Sequence, residues 1–189
     1  MGKRAIPVVL TESEQQKLLD QFNERYVTSQ RNRVMFRLML NTGLRVSAIV
    51  SLRWEDVMVR EGKGAKDRSL WVDEGQLGEL GKWKDRQVEK IGGLPKWVFS
   101  TLREGNVGEK LTIQQVWKTL KTYAEKAGVE KDISPHTLRH TFATDLYRET
   151  GKIRLVQKAL GHADLSTTMI YTHIVDEELE GAMKSFRNQ

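Results

Sequence analysis

The chain has 189 residues, 39% of them hydrophobic and 30% charged; this suffices for one domain with its own core and leaves no apolar run near the ~20 residues that cross a bilayer. Cysteine is absent, which excludes disulfides, thiolate metal sites and a cysteine nucleophile, and the start Met1-Gly2-Lys3-Arg4 opens neither a secretory signal nor, with Ile6 in place of Ser or Thr, a myristoylation signal, so a cytoplasmic location is expected. The net charge of +6 favours a polyanionic partner, because lysines and arginines displace counterions from phosphates, but basic charge alone leaves that partner undecided.

Residues 11–26 place Leu18, Leu19 and Phe22 at helical spacing behind a capping Thr11 and the early acidic Glu12 and Glu14, which predicts a first helix. A second is expected from Ser29 to Asn41, with Val34, Met35, Leu38 and Met39 as its apolar stripe and Thr42-Gly43 as its stop; a short third follows from Arg45 to Leu52. Between Asp56 and Val72 the period changes, and Val57, Val59, Leu70 and Val72 flank a polar turn as two strands flank a hairpin loop. Trp97-Val98-Phe99 is a candidate for a further short strand of the same small antiparallel sheet. Helices are expected again from Thr112 to Ala127 and after Ser134-Pro135, where serine caps and proline fills the first position, with Gly151 and Gly161 closing two successive helices. From Ile174 to Phe186, Leu179, Ala182, Met183 and Phe186 share one helical face. The whole is α+β and mainly α-helical.

Taken alone, the candidate functional fragments are weak. His136 and Arg139 lie three apart near an amide-rich helix start that attracts phosphate, yet the pair reads better in isolation as a capping histidine and a surface ion pair. His136 and His140 are four apart, but no glutamate intervenes and only His162 and His173 remain as further histidines, so no metal is expected. The stretch 62–68 contains glycines and lysines without the Gly-Lys-Ser/Thr ending of a phosphate-binding loop, and isolated it is an ordinary solvated turn.

Four segments together say more. Leu160-Gly161-His162 followed by Thr167-Thr168 and Tyr171-Thr172-His173 strongly resembles the signature of the tyrosine recombinase, or phage integrase, family, in which the nucleophilic tyrosine stands nine residues after the histidine. Asn41-Thr42-Gly43-Leu44-Arg45 resembles that family's first arginine segment, Gly62-Lys63-Gly64-Ala65-Lys66 its lysine hairpin, and Ser134-Pro135-His136-Thr137-Leu138-Arg139-His140 its histidine and second-arginine box. The resemblance spans residues 41–173 in the family's order. It implies the family's catalytic-domain fold, with Tyr171 as nucleophile and Arg45, Lys63, His136, Arg139 and His162 as the other catalytic groups; Lys66 is the weaker alternative to Lys63. One departure is Ala48, three residues after Arg45, where the family commonly carries Glu or Asp to support that arginine.

A phosphodiester broken without water needs a nucleophile that stays attached, so that the bond energy is kept for rejoining without metal or cofactor. The resemblance thus implies site-specific recombination of double-stranded DNA through a 3′-phosphotyrosine, with His136 as base, both arginines on the non-bridging oxygens and Lys63 as acid to the leaving 5′ oxygen. Type IB topoisomerase-like relaxation and a catalytically silent DNA-binding regulator are the rival readings. The expected organisation is a short extension over 1–10, a catalytic domain over 11–173 and a tail over 174–189 that packs in cis or, as the resemblance implies, docks on the neighbouring protomer. The family commonly adds an N-terminal DNA-gripping domain, so the sequence is either a minimal recombinase or a catalytic fragment. A homo-oligomer, a tetramer on DNA, and an accessory DNA-bending protein are expected to complete a half-open clamp.

Overall fold

The computed structural model describes residues 7–58, 72–162 and 165–187. Helix α1 (Glu12–Asp20) begins at a capping box in which the Thr11 hydroxyl accepts from the Glu14 amide and the Glu14 carboxylate accepts from the Thr11 amide. It ends before Tyr26, and the chain turns through Asn23 into α2 (Val27–Thr42), whose buried Val34, Met35, Leu38 and Met39 form the predicted stripe. Helix α2 stops at Gly43, and the short α3 (Val46–Val50) is capped by Arg45.

The expected small sheet is not seen. Among the described residues no strand forms, and most of the 56–72 hairpin, Lys63 and Lys66 included, lies outside them. Val57, expected in a strand, belongs to α4 (Trp54–Met58). Trp97-Val98-Phe99 is extended but makes only isolated bridges, Arg53 to Trp97 and Ser100 to Lys110. Against the Trp97-Val98-Phe99 segment packs a polar helix that periodicity does not reveal, α5 (Glu74–Ile91). Its inward stripe is Gln76, Leu80, Trp83 and Gln87, so glutamines hold two positions where a hydrophobic pattern is sought. Gln87 bonds Ser100 Oγ at 2.8 Å and accepts from Trp54 Nε1 at 2.8 Å, while Trp83 Nε1 donates to the Val98 carbonyl at 2.7 Å. Side chains thus satisfy the polar groups that a neighbouring strand would otherwise take.

The remaining helices follow the sequence closely. Helix α6 (Ile113–Lys126) has Thr112 and Gln115 as a capping box, and α7 (Pro135–Thr150) starts with Pro135 behind Ser134. Gly151 and Gly161 close α7 and α8 (Ile153–Leu160) in left-handed conformation. A turn of 3₁₀ helix (Leu165–Thr167) leads into α9 (Ile170–Arg187). This last helix starts four residues before the expected Ile174, so Tyr171 and the tail share one element. The large core gathers α1, α2, α3, α6 and the start of α7 around Phe36, Leu38, Ile49 and Leu120, with Trp83 of α5 against it. A smaller cluster under α7, α8 and α9 contains Ala143, Val156, Leu160, Tyr171 and Ile174. The described helices include none long and apolar enough to cross a membrane.

Candidate active site

Arg139 lies where α2, α7 and α8 meet. Its Nη1 donates to the Gly43 carbonyl at the end of α2, and its Nη2 donates both to the Leu160 carbonyl at the end of α8 and to His162 Nε2, at 2.8 and 3.0 Å. Two helix C-termini, each carrying partial negative charge, thereby fix the guanidinium plane. Gly43 permits this junction. Its φ is +61°, and a Cβ there would stand 2.3 Å from Phe142 Cδ1 on α7, so neither the conformation nor the space admits a side chain.

His162 is oriented from its other side. Because Arg139 can only donate, Nε2 must accept, and Nδ1 then carries the proton and donates to Thr168 Oγ1 at 3.0 Å. Thr168 is fully buried, and Gln157 Nε2 donates to the His162 carbonyl at 3.1 Å. Burial and then the charges of Arg139 and Arg45 hold the His162 pKa below its usual value, which favours this neutral tautomer. Arg139 itself is pushed down to about 10, first by burial and then by Arg45, against an opposing effect of Tyr171.

The same electrostatic contacts bring Arg45 into the group. It is exposed at the head of α3, and its side chain makes no hydrogen bond or ion pair among the described residues. Ala48, one turn on, is exposed and offers it no carboxylate. A guanidinium with no partner among the described residues, facing two other basic groups, marks a place where an anion is strongly favoured.

Tyr171 stands behind this cluster, 1% exposed, with its ring in the smaller core. Its hydroxyl lies 3.0 Å from Nδ1 of His140, and the rings are 5.8 Å apart between centroids. Burial raises the phenol pKa, partly opposed by Arg139. His140 is held down to about 4, first by burial and then by His136, Arg139 and His162, so it is neutral at pH 7. His136, the base that the resemblance implies, is exposed on the first turn of α7, and no hydrogen bond joins it to Tyr171. His140 is thus the residue of this site that sequence reasoning missed. It surfaced there as half of a zinc pair and as an unassigned member of the second-arginine box, and its spacing of four from His136 carried no hint of Tyr171.

The site therefore joins Arg139, His162 and Tyr171 through direct contacts or one intermediary, with Arg45 within electrostatic reach and Lys63 outside the described residues. A sequence model of the phage integrase family matches residues 8–178. The chain belongs to that family. The tyrosine recombinase XerD of Pseudomonas putida is 37% identical over 187 residues, covering 95% of this chain and 61% of the relative. The tyrosine recombinase XerA of Pyrococcus furiosus is 36% identical over 188 residues, covering 96% of this chain and 62% of the relative. Among solved structures, a XerA recombinase aligns with a TM-score of 0.77 at 29% identity, covering 99% of this chain and 66% of that one. A XerH recombinase in a post-cleavage complex with its palindromic difH substrate aligns with the same TM-score at 27% identity, covering 97% of this chain and 54% of that one. The mainly helical fold is that of these neighbours, and the chain spans about three fifths of the length of the curated relatives it matches.

Proposed function

We propose that this integrase-family chain carries the catalytic part of a site-specific recombinase, in which Tyr171 attacks a phosphodiester of double-stranded DNA. The tyrosine oxygen bonds to phosphorus, the P–O5′ bond breaks, and a 3′-phosphotyrosine and a free 5′-hydroxyl result. The phenol proton passes to a base, for which His136 is the candidate: His140 stands nearer, but a ring with a pKa of about 4 is a poor proton acceptor from a phenol. Arg45 and Arg139 take the non-bridging oxygens, His162 adds a hydrogen bond, and Lys63 protonates the leaving oxygen. Attack by a 5′-hydroxyl from a partner duplex then exchanges strands.

The observation that carries this reading is the bonding of Arg139 to His162, Gly43 and Leu160 beside Arg45, whose side chain has no partner among the described residues, a preorganised cationic seat for one phosphate with a tyrosine adjoining it. The XerH neighbour's complex with its DNA substrate supports duplex DNA as partner. The proposed organisation keeps 1–10 as an extension and 11–173 as the catalytic unit, with 174–189 docking on a neighbouring protomer, within a tetramer on DNA that an accessory bending protein assists. Action in the cytoplasm, without cofactor or metal, completes the proposal.

The test is covalent capture on a library of nicked suicide duplexes. Adduct formation by the wild type and none by Tyr171→Phe, with DNA binding retained, is the expected result; an adduct in Tyr171→Phe would remove Tyr171 from the role. On plasmids, inverted or joined products are expected. Relaxed circles alone would favour a topoisomerase, and unaltered DNA retained on a gel a silent binding protein.

A further inference from the structure

Away from Arg139, three cations converge on one aromatic ring. Arg53 Cζ, Lys96 Nζ and Lys110 Nζ lie 5.6, 5.0 and 5.3 Å from the centre of the Trp97 ring. The platform beneath them is firmly built. The Arg53–Trp97 bridge, Trp54 N–H donating to the Lys96 carbonyl at 3.2 Å and Val98 N–H donating to the Leu52 carbonyl at 2.9 Å tie the two segments, and Trp54 and Val98 are buried in the large core.

No two of these charges are more than about 11 Å apart, close to the Debye length of roughly 8–10 Å, so they repel one another appreciably. Glu55 takes up Arg53 at 2.8 Å. Neither lysine has a carboxylate partner among the described residues, and Lys110 bonds only the Ser51 hydroxyl, at 2.7 Å. Both lysines are exposed while Trp97 is half-buried, so the ring supports their stems and leaves the ammonium groups to solvent. An anion entering between them relieves the repulsion without any rearrangement of the platform.

We propose that Arg53, Lys96 and Lys110 around Trp97 form a second docking point for the phosphate backbone of duplex DNA, distinct from the seat at Arg45 and Arg139. The location argues for the same duplex. Ser51 and Arg53 directly follow α3, the short helix that Arg45 caps. Eight residues of chain, five of them helical, span at most roughly 20 Å, or about six base pairs at 3.4 Å each. The cluster therefore grips backbone near the cleaved position and sets the register of the duplex, without reading bases. This rests on the proposed action on DNA.

The test compares two double variants of equal charge in the full chain. Lys96→Gln with Lys110→Gln removes the cluster's free ammonium groups, and Lys17→Gln with Lys90→Gln removes two exposed lysines on α1 and α5. Duplex binding is followed by fluorescence anisotropy between 50 and about 300 mM salt. The cluster variant is expected to bind about tenfold more weakly near 0.15 M salt, with a log–log salt slope shallower by roughly one to two, while the control stays near wild type. Equal shifts in both variants, or an unchanged slope in the cluster variant, would overturn the proposal. Inorganic phosphate at matched ionic strength should not compete beyond a simple salt effect; selective competition would make the cluster a free-anion site instead. Adduct yield on saturating suicide duplex reports separately on Tyr171: failure of the wild type to form adduct sinks the catalytic reading, whereas the slope comparison alone decides the docking point.

Discussion

Acidification isolates the contact between His140 and Tyr171. In the unfolded chain His140 takes up a proton near pH 6.5, whereas in the folded protein it declines one until about pH 4. The unfolded state thus binds more protons between those values, so the stability that His140 contributes is fully present above pH 6.5 and is lost as the pH falls toward 4. At 1.36 kcal/mol per pH unit the gap is worth about 3.4 kcal/mol for a fully sheltered ring. The ring is only half-buried, and solvent screening reduces this to ~1.5 kcal/mol. His140→Asn keeps an acceptor for the Tyr171 hydroxyl but cannot titrate. Urea unfolding of both proteins at pH 7 and pH 4.5 should show the wild type losing about 1 kcal/mol more than the variant. Because His162 and all carboxylates are common to both, the difference belongs to His140. A difference that is flat within 0.3 kcal/mol over this range would refute the assignment of a sheltered, neutral ring.

Further outcomes follow from the same contacts. Gly43→Ala forces a side chain into left-handed backbone and against Phe142, and is expected to destabilise the fold by ~2–4 kcal/mol in thermal or urea unfolding; adding Phe142→Ala should recover the clash but not the backbone strain. Thr168→Val leaves His162 Nδ1 without its buried acceptor, so adduct formation should fall by at least tenfold with duplex affinity little changed, as measured by single-turnover cleavage and anisotropy. Truncation after Asp176 removes the exposed Leu179 and Met183 and should weaken cooperative assembly on DNA in gel-shift titrations, while unchanged cooperativity would place the tail in cis.

Much of the helical frame was legible because its signals are local. Thr11 and Ser134 cap where they were expected to, and Gly43, Gly151 and Gly161 close helices in left-handed conformation. Helix α5 was not legible, since its inward Gln87 serves hydrogen bonding to a segment ten or more residues distant, the buried Gln76 interrupts the apolar stripe, and three glycines dilute its helical pattern. At the site, recognisable strings pointed to Arg139, His162 and Tyr171, but not to what orients them. The Gly43 carbonyl is 96 residues from Arg139 and the Tyr171 hydroxyl 31 from His140. No periodicity encodes such pairings, because only tertiary packing brings them together.

Arg139 shows how far the site depends on that packing. Its conservative replacement, Arg139→Lys, keeps the positive charge but exchanges a planar fork of five donors for a single ammonium. One nitrogen cannot reach the Gly43 carbonyl, the Leu160 carbonyl and His162 Nε2 together, because these acceptors surround opposite ends of the guanidinium. At least one helix-end carbonyl then loses its partner in a buried setting, at a cost of ~1–3 kcal/mol. For a domain of this length each kcal/mol lowers the melting temperature by about 2–4 °C, so a drop on the order of 5 °C is expected. Cleavage should suffer more than folding. His162 loses the donor that holds its tautomer, and the phosphate loses directional hydrogen bonds that strengthen as charge grows in the transition state, so single-turnover adduct formation should fall on the order of a hundredfold. Duplex affinity should change far less, since the point charge persists. A lysine variant that melts with the wild type and cleaves at its rate would show that charge alone, and not the geometry fixed by two helix ends, is what position 139 supplies.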